Sequence, residues 1–77
     1  RIMSVYGQAT AADAEIKIYD EADASKTASK LVFHGKFGTA ANQVESFDIA
    51  GQGIKCDNGM YVDLTNCDFC TIIGAFT

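Results

Sequence analysis

The chain has 77 residues and a mass of 8.2 kDa, room for one small domain. Folding at that size buries only about 60% of the unfolded surface, so a disulfide, a metal or a second subunit ordinarily supplements the core. Ten acidic residues against six basic ones leave a net charge of −4, with the lysines scattered; this disfavours nucleic acid, whose binding is dominated by phosphate neutralisation, and leaves no basic helix for a membrane surface.

Three cysteines, Cys56, Cys67 and Cys70, cannot all pair within one chain, so free thiols and synthesis in a reducing cytoplasm are expected. No signal-like opening segment and no apolar run of membrane-spanning length are visible.

Short strand-like runs recur at close intervals, the pattern of an all-β sandwich or jelly-roll-like barrel. The first runs from about Ile2 to Gln8. Ala9 to Ala14 is alanine-rich and polar, a connection, and Glu15 to Tyr19 follows with Ile16 and Ile18 on one face. Asp20 to Lys30 has only alanines as apolar members. With so little to bury, it is expected as a solvated loop rather than a short helix. Leu31 to Phe37, Val44 to Ile49 and Gly53 to Cys56 read as three further strands. Asn58-Gly59 is then expected as a tight hairpin turn, since that dipeptide readily supplies positive φ. Met60, Val62 and Leu64 after it alternate with Tyr61, Asp63 and Thr65, which predicts a strand with the first set in the core. The last strand, Phe69 to Phe76, is apolar on both faces. Such a strand is buried twice, either centrally in the sheets or at a subunit contact. The whole chain, 1–77, is expected as a single β domain.

Cys67-Asp68-Phe69-Cys70 is the one motif with the look of a site, expected at a turn leading into the last strand. With Cys56 and His34 it would complete a Cys₃His zinc set, the four ligands that tetrahedral zinc needs. His34 lies in a strand pattern away from that turn and Cys56 alternates with Ile54 as a core residue, so the metal-free reading is preferred. Redox chemistry is disfavoured because Asp68 would raise the thiol pKa and no helix N-terminus is near. A single histidine without an orienting triad gives no catalytic constellation, and the glycines punctuate turns rather than cradle phosphate. No enzyme and no cofactor are expected.

Three segments carry a resemblance. Ala14-Glu15-Ile16-Lys17-Ile18-Tyr19-Asp20, Ser46-Phe47-Asp48-Ile49 and Gly59-Met60-Tyr61-Val62-Asp63-Leu64-Thr65 follow one another as in small bacteriophage and marine-metagenome β-sandwich proteins, whose Gly-Leu-Tyr-Val-Asp segment the third resembles. The resemblance implies a virion-associated β-domain without activity or cofactor. It supplies no functional residues, and the long loop after Tyr19 and the Cys67/Cys70 pair depart from it.

The expected function is therefore structural: a non-enzymatic module that forms a homo-oligomer, with a virion or other protein surface as a further partner and neither nucleic acid nor membrane. Tyr61, Phe69, Ile72 and Phe76 are the candidate contact residues. The alternative is a small ligand- or carbohydrate-binding β-module that uses exposed tyrosines such as Tyr6 and Tyr61.

Overall fold

The computed structural model describes residues 1–39 and 42–74. It is all-β, with strands β1 (Ile2–Ala9), β2 (Glu15–Tyr19), β3 (Leu31–Lys36), β4 (Val44–Asp48), β5 (Tyr61–Thr65) and β6 (Cys67–Gly74). The seven segments expected from the sequence appear in order. The one at Gly53 to Cys56 is reduced to a single bridge between Ile54 and Ile2. The segment 20–30 is a loop that closes with one 3₁₀ turn, Ala28–Lys30.

Two three-stranded antiparallel sheets form, one in the order β4-β1-β6 and one in the order β3-β2-β5. β1 is the central strand of the first, the β1 sheet, and β2 of the second, the β2 sheet. β1 and β2 supply most of the interior: Ile2, Val5, Ala9, Ala14, Ile16 and Ile18 are fully buried, and Phe37 joins them at 7% exposure. The outer strands contribute partly buried side chains, among them Phe33, Phe47, Val62 and Ile72.

Strict alternation along β1 would turn Ile2 and Val5 to opposite faces. The pairing with β6 slips by one residue between Ile2 and Ser4, making Met3 a bulge, and both isoleucine and valine face inward. The pair slips again between Gln8 and Ala9, where the extra residue is Asp68 on β6.

Three passages between the sheets gather at one end of the molecule. The Thr10 N–H donates to the Asn66 carbonyl at 2.7 Å, the Asp13 N–H to Gly38 at 3.3 Å, and the Ala9 N–H to Gln43 at 2.8 Å. Each passage contains, among the described residues, one residue in the left-handed region: Asp13 (φ 59°), Asn42 (φ 62°) and Asn66 (φ 54°). Asp and Asn tolerate that conformation better than other residues with a Cβ.

Asn58-Gly59 departs from expectation. Of the two only Gly59 has positive φ, at 136°, and β5 begins at Tyr61 and pairs with β2, so no tight hairpin turn forms there. The reason is a competing partner. The Asn58 backbone N–H donates to Asp20 Oδ1 at 2.7 Å and its side-chain amide to Oδ2 at 3.4 Å, docking the segment on the end of β2. These bonds, led by the backbone one, hold the Asp20 carboxyl below its ordinary pKa. Gly59 is needed for close approach: a Cβ there would lie 2.9 Å from the Glu21 carbonyl.

The face assignment of β5 holds, and of the expected core residues Val62 packs partly buried on the interior while Met60 and Leu64 do not. Val62 and Leu64 stand opposite Ile18 and Ile16, on the inner side. β5 is an edge, however, so Leu64 stays exposed, and Met60 lies outside the strand and is exposed as well.

Gly7 on β1 tests the packing. A Cβ there would stand 2.7 Å from the Phe69 carbonyl and 3.2 Å from the Ile16 side chain. Gly7→Ala is expected to cost about 1–3 kcal/mol by overpacking in urea unfolding, while Ser46→Ala on the exposed outer side changes stability by less than about 0.5 kcal/mol. A neutral Gly7→Ala would contradict the register of β1 against β6.

Candidate interaction surface

β6 lies at an edge of its sheet, hydrogen-bonded to β1 on one side; among the described residues no strand pairs with the other. This removes one of the two ways of burying a doubly apolar strand, the central position. Cys70 and Ile72 turn inward, opposite Gly7 and Val5, and pack half-buried on the core. Phe69, Thr71 and Ile73 turn outward, opposite Gln8, Tyr6 and Ser4.

β4 completes this outer face on the far side of β1. Its rows across the sheet read Val44-Gln8-Phe69, Ser46-Tyr6-Thr71 and Asp48-Ser4-Ile73. Val44, Phe69 and Ile73 are 60%, 43% and 54% exposed, high values for large apolar side chains in a small chain. Tyr6 and Phe69 meet edge to face with ring centroids 6.3 Å apart. Asp48 is the single charged residue in the three rows, and its Oδ1 accepts a hydrogen bond from Ser4 Oγ at 3.1 Å.

The outer face of the β2 sheet is the opposite in character. Glu15, Lys17, His34, Lys36 and Asp63 alternate with the inward residues, and Lys26 Nζ reaches Asp63 at 3.6 Å. His34 Nε2 meets Glu15 Oε1 at 2.5 Å, and that bond holds the Glu15 carboxyl below its ordinary pKa. Near the end of this face Tyr19 is 6% exposed beside a half-buried Tyr61, their ring centroids 6.4 Å apart.

The predicted contact residues thus separate. Phe69 is exposed on the outer face of the β1 sheet. Ile72 lies on the interior side of the same strand, where even-numbered residues turn inward, and packs half-buried on the core. Tyr61 sits on the other sheet against Tyr19, and Phe76 lies outside the described residues. Tyr6 and Tyr61, on different sheets, do not form one stacking platform.

The thiols also separate from the zinc geometry. His34 stands on β3 bonded to Glu15, Cys56 lies in the segment between β4 and β5, and Cys67 and Cys70 lie on β6 itself rather than at a preceding turn. Among the described residues, no group of three or more His, Cys, Asp or Glu side chains is placed to hold a metal ion. The Asp68 bulge explains why Cys67 and Cys70, three apart, both pack on the core. Burial pushes all three thiols above their ordinary pKa. A cleft of about 250 Å³, lined by Asp13, Ala14, Glu15, Lys36 and Phe37, is smaller than the usual small-molecule pocket of roughly 300–1,000 Å³. No described helix is long and apolar enough to cross a membrane.

No protein-family model matches the chain, and neither curated proteins nor solved structures give a match.

Exposed apolar side chains on both sides of the Tyr6-Phe69 contact were legible only in part. Phe69 stood out in the sequence. Val44 did not, because a lone valine in a polar run gives no signal until β4 is known to lie two strands from β6.

Raised thiol pKa values and partial burial predict slow alkylation. In the native chain at neutral pH all three cysteines are expected to react with iodoacetamide several-fold more slowly than in the urea-unfolded chain. Equal rates would contradict their placement against the core.

Proposed function

We propose that this chain is a non-enzymatic interaction module, a compact sandwich of its two sheets, that self-associates through the β6 side of the β1 sheet. One observation carries the reading: the strand that is apolar on both faces is an edge strand. An edge with an exposed apolar flank is a pairing template, and a soluble chain is served by covering it. The size of the domain supports the same reading, since a second copy supplies the burial that 77 residues lack. The resemblance to phage β-proteins suggests a virion-associated accessory protein as the setting. The carbohydrate-binding alternative loses support from the separation of Tyr6 and Tyr61 onto different sheets.

Light scattering on a sizing column at micromolar concentration tests this reading. A closed oligomer, an integral multiple of 8.2 kDa, is expected. A stable single chain across that range would defeat it.

A further inference from the structure

Four strands lie at sheet edges: β4 and β6 in one sheet, β3 and β5 in the other. Edges present unpaired backbone groups, and proteins guard them with charges, bulges or covering segments. Three of the four carry such guards within their paired stretches, whereas those of β6, Asp68 and the bulge there, stand at one end of the strand. β4 carries Asp48 and a half-buried Glu45 opposite Gly7, the carboxylate receiving the Gln43 amide. β3 carries His34 and Lys36 and is bulged where it meets Tyr19. β5 carries Asp63, paired with Lys26.

β6 differs. Between the bulges at Met3 and Asp68, residues 69–73 run in constant register against residues 4–8, and none of 69–73 is charged. The centre of that regular stretch is Thr71.

Resting on the self-association reading above, we infer that β6 pairs antiparallel with β6 of a second copy across a two-fold axis at Thr71. The two three-stranded sheets then become one sheet of six strands. The sequence is self-complementary about this point. Thr71 faces Thr71 of the second copy, Phe69 faces its Ile73 on the outer side, and Cys70 faces its Ile72 on the inner side. These are threonine and aromatic-to-β-branched pairs of the kind that stabilise antiparallel sheets. Asp68 faces Gly74, so two chains of net charge −4 meet without opposing carboxylates. An axis at a residue also keeps the outer side of one copy beside the outer side of the other. An axis between residues would set an outer side beside a core side. A foreign strand would have to supply this complement, whereas a second β6 already holds it.

Sedimentation of the native chain and of two variants tests the pairing. The native chain is expected as a dimer of twice 8.2 kDa at tens of micromolar. Thr71→Lys sets two like charges opposite each other on the axis and is expected to weaken the dimer by roughly tenfold or more. Val44→Lys, on the far edge of the same outer face, is expected to leave it intact. Dissociation by Val44→Lys but not by Thr71→Lys would mean that outer faces stack on each other; edge pairing would be overturned while self-association stood. A native chain of 8.2 kDa would overturn both. Should Thr71→Lys fail to fold by circular dichroism, mild oxidation of Thr71→Cys decides: a disulfide mapped to position 71 of both copies supports the axis. A folded dimer in which position 71 is never linked to itself contradicts it.

Discussion

Among the described residues, each of the other four strands is hydrogen-bonded to β1 or to β2, and the interior depends on what those two strands bury. Ile2, Val5 and Ala9 from one meet Ile16 and Ile18 from the other, all fully out of water. Burying side chains of that size contributes roughly 1.5–3 kcal/mol each for the larger ones, the scale on which a small domain's whole stability is measured. The bulges at Met3 and Asp68 follow from this demand. Each adds one residue where simple alternation would turn an apolar side chain outward. Gly7 answers the same demand from the opposite direction, leaving space for Ile16 and Phe37 above β1.

With two central strands, the other four are edges and only half covered. That arrangement leaves Leu64 exposed although it faces inward, and leaves Val44, Phe69 and Ile73 exposed on the outer face of their edge strands. The chain changes sheets at one end through Asp13, Asn42 and Asn66, which adopt left-handed backbone that most side chains resist. It closes the other end by hydrogen-bonding Ile54 to Ile2 and Asn58 to Asp20. Both ends are therefore fixed by backbone groups and short side chains, the Asp20 carboxylate among them.

Strand positions were legible because alternation at Ile16/Ile18 and at Val62/Leu64 records which side faces inward. Strand neighbours were not, since alternation carries no information about which edge a strand pairs with. Asn58-Gly59 shows the cost of a local reading: its turn chemistry was diverted to Asp20, 38 residues away. The Cys67/Cys70 spacing was misplaced at a turn because a bulge that brings both thiols to one face has no simple sequence mark. Phe69 to Phe76 was read correctly as apolar on both faces over its described part, and only the sheet order could say that one flank faces no neighbour.

The uncharged stretch 69–73 of that edge is where the fold and the proposed function meet. In a lone edge strand, alternate backbone N–H groups bond to the neighbouring strand and the others face water, so protection alternates along the strand. Residue-resolved amide hydrogen exchange on residues 69–73, repeated across a range of protein concentrations, is the most direct measurement. The account predicts that the unprotected half of these amides becomes slow as concentration rises, while the β1 and β2 amides stay slow throughout. Fast exchange of the same amides at every concentration would contradict it.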